Sequence, residues 1–144
     1  MNFRKSTHCA YKTEYHIVLT PRYRRRIFVG GVKQYLEKVL KNLNGLENDI
    51  EVLKANVQPD HVHMVIIIPP RLAVASVIQF MKSQSAKRIR KRFAYLNNVL
   101  YSRGGIWSTG YCVSTVGMDE KTILAYVQYQ GQEDTGQLQL ELGL

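Results

Sequence analysis

The sequence predicts a single α+β domain over residues 1–144: an antiparallel sheet with two helices on one face, in the order β-α-β-β-α-β, then one more helix. Three observations predict it. Short β-branched runs alternate with longer stretches whose apolar residues recur every three or four positions. Turn signals separate those segments, at Pro21, Gly30-Gly31, Pro59-Asp60 and Pro69-Pro70. The length suits one hydrophobic core, and no internal repeat or linker-like stretch divides the chain.

The first strand is 15–20 (YHIVLT), ended by Pro21. PRYRRR follows, with four arginines in the five positions 22–26. After Gly30-Gly31 a helix runs from Val32, with Tyr35, Leu36, Val39, Leu40, Leu43 and Leu46 along one face. Gly45 and Asn48-Asp49 mark its end. Residues 50–58 (IEVLKANVQ) and 61–68 (HVHMVIII) are strands two and three, a hairpin closed by Pro59-Asp60. A second helix begins after Arg71. Its inner face carries Val74, Val77, Ile78, Met81, Ser85 and Ile89, and its outer face Lys82, Lys87, Arg88, Arg90, Lys91 and Arg92. Asn97-Asn98 and Gly104-Gly105 bound a loop, and 107–116 (WSTGYCVSTV) reads as a fourth strand interrupted at Gly110. Asp119 is the N-cap of a last helix through Ile123, Tyr126, Val127 and Gln130. The tail from Gly131 has no clear period. Without the last helix, the order is that of a ferredoxin-like (RRM-like) domain.

Composition narrows the function. Lys+Arg total 20 against 11 Asp+Glu, a formal charge of +9. A basic surface of that strength suits a polyanion, nucleic acid first, although it also occurs as a merely solvated face. The longest apolar run, 62–68, is strand-sized rather than membrane-spanning, and the polar start MNFRKSTHCAYKTEYH lacks the apolar centre of a secretory signal. Cys9 and Cys112 form no closely spaced pair, which points to reduced, mostly buried thiols in a cytoplasmic protein.

In HVHMV, strand alternation sets His61 and His63 on one face and Val62 and Met64 on the other. Two same-facing imidazoles can grip a metal ion or a phosphate, and exposed strand histidines can also do neither. In the last helix, Tyr126 and Gln130 are four apart and share a face. Read alone, Tyr126 could be packed on the sheet and Gln130 could face solvent.

Together, YHIVLTPRYRRR, PDHVHMVIIIPP, MKSQSAKRIRKRF, WSTGYCVSTVG and YVQYQ, in that order, resemble the single-tyrosine transposases of the histidine-hydrophobic-histidine (HUH) nuclease superfamily. The likeness is to the transposase-A proteins of the insertion-sequence 200/605 group. It implies a DNA transposase that cleaves and rejoins single-stranded DNA through a 5′-phosphotyrosine bond. On this resemblance Tyr126 is the nucleophile, and His61, His63 and Gln130 hold a divalent metal, Mg²⁺ or Mn²⁺. Tyr129 is the competing tyrosine, but its residue four positions on is Glu133, not a glutamine. Arg22, Arg24, Arg25, Lys82, Lys87, Arg88 and Arg92 become candidates for DNA phosphates. The implied partners are DNA hairpins at element ends and a second copy of the chain, a homodimer sharing its active sites. Gly117 becomes a candidate hinge ahead of the tyrosine helix. The alternatives are a domesticated relative acting on repetitive palindromic elements, a replication initiator or relaxase, and a non-catalytic nucleic-acid-binding module.

Overall fold

The computed structural model describes residues 3–43, 50–97 and 105–141. Two three-residue strands, β1 (Arg4–Ser6) and β2 (Cys9–Tyr11), form a separate hairpin that the sequence does not announce. Strands so short leave no period to read. The main sheet is built from β3 (Glu14–Leu19), β4 (Glu51–Gln58), β5 (His61–Ile67) and β6 (Cys112–Ser114). Its order is β4-β5-β3-β6 with every pairing antiparallel, the expected ferredoxin-like arrangement.

The helices are α1 (Gly30–Lys41), α2 (Val74–Arg92) and α3 (Glu120–Glu141). Helix α1 begins at Gly30 rather than Val32, because a φ of 55° at Gly30 suits a residue without Cβ and lets the chain turn directly into the helix. The expected helix end at Gly45 and Asn48-Asp49, and most of the expected loop at 97–105, lie outside the described residues.

Alternation along the central strands divides the molecule into three layers. Ile17 and Leu19 of β3 with Val62, Met64 and Ile66 of β5 are buried on the face that α1 and α2 cover. Val32, Leu36, Leu40, Val77, Ile78, Met81 and Ile89 complete that core. Val18 points the opposite way and packs against Ile123 and Val127 of α3, bordered by Cys112, Met118 and Tyr126. The register slips between Val52 and Lys54, which turns Leu53 outward and explains the imperfect alternation of β4.

Two expectations change. The fourth strand shrinks to Cys112–Ser114, while Trp107 meets Pro21 in an isolated bridge. Between them the chain leaves the sheet, since the Ser108 and Gly110 carbonyls both accept from the Lys82 ammonium, at 2.7 and 2.8 Å. The unplaced tail instead continues α3 to Glu141, and Gly131 within it lies flat against Arg24, where a Cβ would meet that side chain at 3.0 Å. The N-cap holds: the Asp119 carboxylate accepts from the Thr122 amide at 2.8 Å. Both cysteines are free, but Cys9 is exposed and Cys112 only half-buried, because β2 lies outside the core and β6 is an edge strand. Among the described residues no helix is long and apolar enough to cross a membrane.

Met64 is fully buried at the middle of β5. Met64→Ala should therefore cost about 2–5 kcal/mol in urea unfolding. Exposed Leu53→Ala should stay within about 0.5 kcal/mol in the same experiment.

Candidate active site

The β5 histidines lie where alternation puts them. His61 and His63 face away from the main core, and His63 stands opposite Val18 of β3, the residue on which α3 rests. His61 is 8% exposed, and its Nδ1 is 3.0 Å from Asp60 Oδ1. A carboxylate only accepts, so that nitrogen carries the hydrogen, and in the neutral ring Nε2 keeps its lone pair for a ligand. Asp60 also accepts from Arg24 Nε at 2.9 Å, with Arg26 at 4.0 Å. Burial alone would raise the Asp60 carboxyl, but the hydrogen bonds and charges of His61 and Arg24 hold it below the usual carboxylate range.

His63 has a neighbour that sequence reasoning missed. His16 of β3 stacks on it with ring centroids 5.5 Å apart, and His16 Nδ1 lies 3.3 Å from His63 Nε2. The signal was available: His16 and Val18 alternate with inward Ile17 and Leu19, so His16 had to share the outward face. Burial first, then the charges of His16, Lys54 and His61, push the His63 pKa below its ordinary value. Neutral imidazole is the form that ligates a metal. Asp60, His61 and His63 open onto a cavity of about 430 Å³ whose α3 wall is Glu120, Ile123 and Leu124.

The tyrosine and glutamine occupy the other flank of α3. Tyr126 donates its hydroxyl to Gln130 Oε1 at 3.3 Å, and Gln130 Nε2 donates to Asp134 Oδ1 at 3.2 Å. Gly110 closes over the pair: a Cβ there would stand 2.5 Å from Gln130 Oε1 and 3.3 Å from the Tyr126 hydroxyl. A Cβ there would force the Gln130 amide to shift. Tyr126 is half-buried, and burial, then the charges of Cys112, Asp134 and Tyr129, raise its pKa well above that of a free phenol. Tyr129 is 56% exposed.

The four candidate residues therefore fall into two groups, the histidines at the cavity beside Glu120, Ile123 and Leu124 and the Tyr126–Gln130 pair on the other flank of α3. The histidines sit on β5, while Tyr126 packs beside Cys112 of β6, and β3 runs between those strands. Two strand spacings are about 10 Å. Among the described residues no three His, Cys, Asp or Glu side chains surround one point. The donor chemistry still suits a divalent cation: two imidazoles, one with its free nitrogen fixed by Asp60, and one amide oxygen.

The basic candidates differ in how they are engaged. Arg24 is tied to Asp60. Lys82 is half-buried against two carbonyls, not outward as its helical position suggests, and burial chiefly pushes its pKa down to about 8. Arg22 and Arg25 flank the Tyr23 ring at 5.8 and 5.5 Å, and Arg92 lies 4.9 Å from the Tyr35 ring. Lys87 and Arg88 are exposed on α2. Gly117 has no left-handed φ, and a Cβ there would make only an ordinary 3.9 Å contact with His16, so sterics do not demand glycine.

Comparison with known proteins identifies the family. Residues 9–130 match the family described as "Transposase IS200 like". The transposase for insertion sequence element IS200 of Salmonella typhimurium is 33% identical over 127 residues, covering 88% of this chain and 82% of that protein. The ISDra2 transposase TnpA of Deinococcus radiodurans is 28% identical over 135 residues, covering 93% and 95%. A crystal structure of a putative transposase from Deinococcus radiodurans superposes with a TM-score of 0.76 at 28% identity, covering 88% and 97%. The fold alone is shared, at 16% identity and a TM-score of 0.52, with a REP-associated tyrosine transposase bound to a REP hairpin, over 88% and 69% of the two chains. A ferredoxin-like sheet bearing a histidine pair, a tyrosine helix crossing it, and a family match over most of the length lead to one conclusion: the chain belongs to the IS200-like transposase family.

Proposed function

We propose that this transposase cleaves and rejoins single-stranded DNA at the ends of an insertion sequence, with Tyr126 as nucleophile and His61, His63 and Gln130 as ligands of a divalent metal, Mg²⁺ or Mn²⁺. The observation that carries the reading is the 3.3 Å contact between the Tyr126 hydroxyl and Gln130 Oε1, which sets a nucleophilic oxygen beside a metal-binding oxygen on one helix face. When bound, the metal supplies Lewis-acid polarisation of the phosphate oxygens. Tyr126 Oη attacks the scissile phosphorus as its proton leaves. The bond from phosphorus to the 3′-oxygen breaks, and that oxygen takes up a proton to become a 3′-hydroxyl. The 5′-phosphate stays on Tyr126 and keeps the phosphodiester's energy for rejoining.

The separation of Tyr126 from its own histidines favours an active site completed by a second copy, α3 of one protomer serving His61 and His63 of the other. Gly117, just ahead of α3, is the candidate pivot. DNA hairpins at the element ends would meet the exposed Lys87 and Arg88, with Arg22, Arg24, Arg25, Lys82 and Arg92 as further phosphate contacts. A domesticated relative acting on repetitive palindromes would use the same residues on a different hairpin. A non-catalytic module would bind without chemistry.

Incubation with single-stranded DNA bearing an element end and Mn²⁺ should give a covalent protein–DNA adduct on a denaturing gel. Tyr126→Phe should abolish the adduct and Tyr129→Phe should keep it. An adduct lost only in Tyr129→Phe would sink the assignment. Mixing Tyr126→Phe with a His61→Ala, His63→Ala double variant should restore adduct formation if the site is shared between protomers, and leave none if it is built within one chain.

Lys82 gives a pH signature. It is charged below about 8 and neutral above, whereas an exposed lysine titrates near 10.4. Single-strand affinity should therefore fall as pH rises from 7 to 9, with the salt slope shrinking by about 0.7 for one lost phosphate contact. Lys82→Met should lack that fall in fluorescence-anisotropy titrations.

A further inference from the structure

A glutamine amide has two chemically opposite ends. The oxygen can accept a hydrogen bond or ligate a cation, and the NH₂ can only donate. An unrestrained glutamine presents either end, so a site that needs the oxygen must hold the amide one way round. Gln130 is 7% exposed and has its NH₂ end against Asp134 Oδ1 at 3.2 Å. Because a carboxylate only accepts, this neighbour decides the amide's orientation and leaves Oε1 toward the Tyr126 hydroxyl.

Asp134 is itself tightly fixed. It is 2% exposed and receives three donors: Gln130 Nε2, the Ser108 hydroxyl at 2.9 Å and the Tyr23 backbone N–H at 3.0 Å. Those donors come from α3, the segment before β6, and the turn after β3. A carboxylate fixed by the Ser108 hydroxyl and the Tyr23 N–H can in turn hold a third group, the Gln130 amide. We propose that Asp134 is a positioning residue of the cleavage site, fixing the Gln130 amide with its oxygen toward Tyr126 and the metal. The inference rests on the reading of Tyr126 as nucleophile and Gln130 as ligand. Asp134 touches neither DNA nor metal in this role; it acts through Gln130.

A purely structural latch between α3 and its neighbours would make many of the same contacts, so the test must respond to amide orientation. Gln130→Glu removes the need for orientation, since both carboxylate oxygens are equivalent, but sets a second carboxylate against Asp134. Asp134→Asn keeps one acceptor oxygen but sets an NH₂ against either the Tyr23 N–H or the Gln130 NH₂, so it should loosen the hold on the amide beside Gln130 and help beside a carboxylate at position 130. In the native background Asp134→Asn should raise the Mn²⁺ concentration for half-maximal adduct formation about tenfold. In the Gln130→Glu background it should lower that concentration. The metal-free protein offers a second readout: the Gln130 side-chain NH₂ resonances should move toward free-glutamine positions in Asp134→Asn. Equal effects in both backgrounds, or displaced resonances with an unchanged Mn²⁺ requirement, would overturn the proposal. If Asp134→Asn fails to fold, Asp134→Glu should give an intermediate Mn²⁺ requirement with displaced resonances, and no change in either would overturn it. Failure of the underlying reading looks different: the adduct survives Tyr126→Phe, or Gln130→Ala leaves the Mn²⁺ requirement untouched.

Discussion

The turn at Arg22–Arg24 is held between two buried carboxylates, and both halves of the candidate site hang from those carboxylates. Asp134 takes the Tyr23 N–H, and Asp60 takes the Arg24 guanidinium. Tyr23 and Arg24 have φ of 62° and 54°, left-handed conformations that cost a residue with a side chain roughly 1–2 kcal/mol each. Contacts at both ends over-determine the turn, which is how such strain persists. From the far side of each carboxylate a functional residue is set: Asp60 fixes the tautomer of His61, and Asp134 fixes the amide of Gln130. A carboxylate stripped of water is costly unless donors replace that water. Here the replacements are the contacts that order the site.

The sheet makes this possible by committing each face to a different task. Ile17, Leu19, Val62 and Met64 close the main core, while His16, Val18, His61 and His63 face α3. Among the described residues, the apolar hold on α3 is small, resting on Val18, Ile123 and Val127 with partly buried neighbours. Each such side chain contributes on the order of 1.5–3 kcal/mol when fully buried, so polar contacts carry an unusual share of this helix's placement. Asp134 supplies two of them, to Tyr23 and Ser108. A helix docked by a thin apolar stripe and a few directional bonds can exchange one partner surface for another more readily than one buried in a core.

Local regularities were legible in the sequence and distant ones were not. The two-residue period of HVHMV placed both histidines, the three-to-four period of α1 and α2 identified their buried faces, and Asp119 marked the start of α3. His16 could have been placed by the same alternation, but only the β3–β5 register makes it a neighbour of His63. The diversion before β6 depends on Lys82, a lysine whose helical position suggests solvent. Asp134 joins groups 26 and 111 positions away, and Gly131 and Gly136 weaken the local helical signal around it. Net charge pointed to a polyanion, yet it could not tell that Arg24 is tied to Asp60 while Lys87 and Arg88 are exposed.

The proton on Tyr126 links these parts. In the present arrangement the phenol is half-buried, donates to Gln130 and lies within the field of Asp134, each of which favours the protonated form. On the reading of Tyr126 as nucleophile, a phenol held this way is stable but unreactive. Gln130 Oε1 is at once the acceptor of that proton's hydrogen bond and the oxygen assigned to the metal. A cation held by Oε1 would take that acceptor from the phenol and set positive charge beside it, and both changes would favour release of the proton. On the proposed reading, metal binding and activation of the tyrosine would converge on one amide oxygen. That convergence would let an orientation set by a buried carboxylate four residues along α3 govern the chemistry proposed at Tyr126.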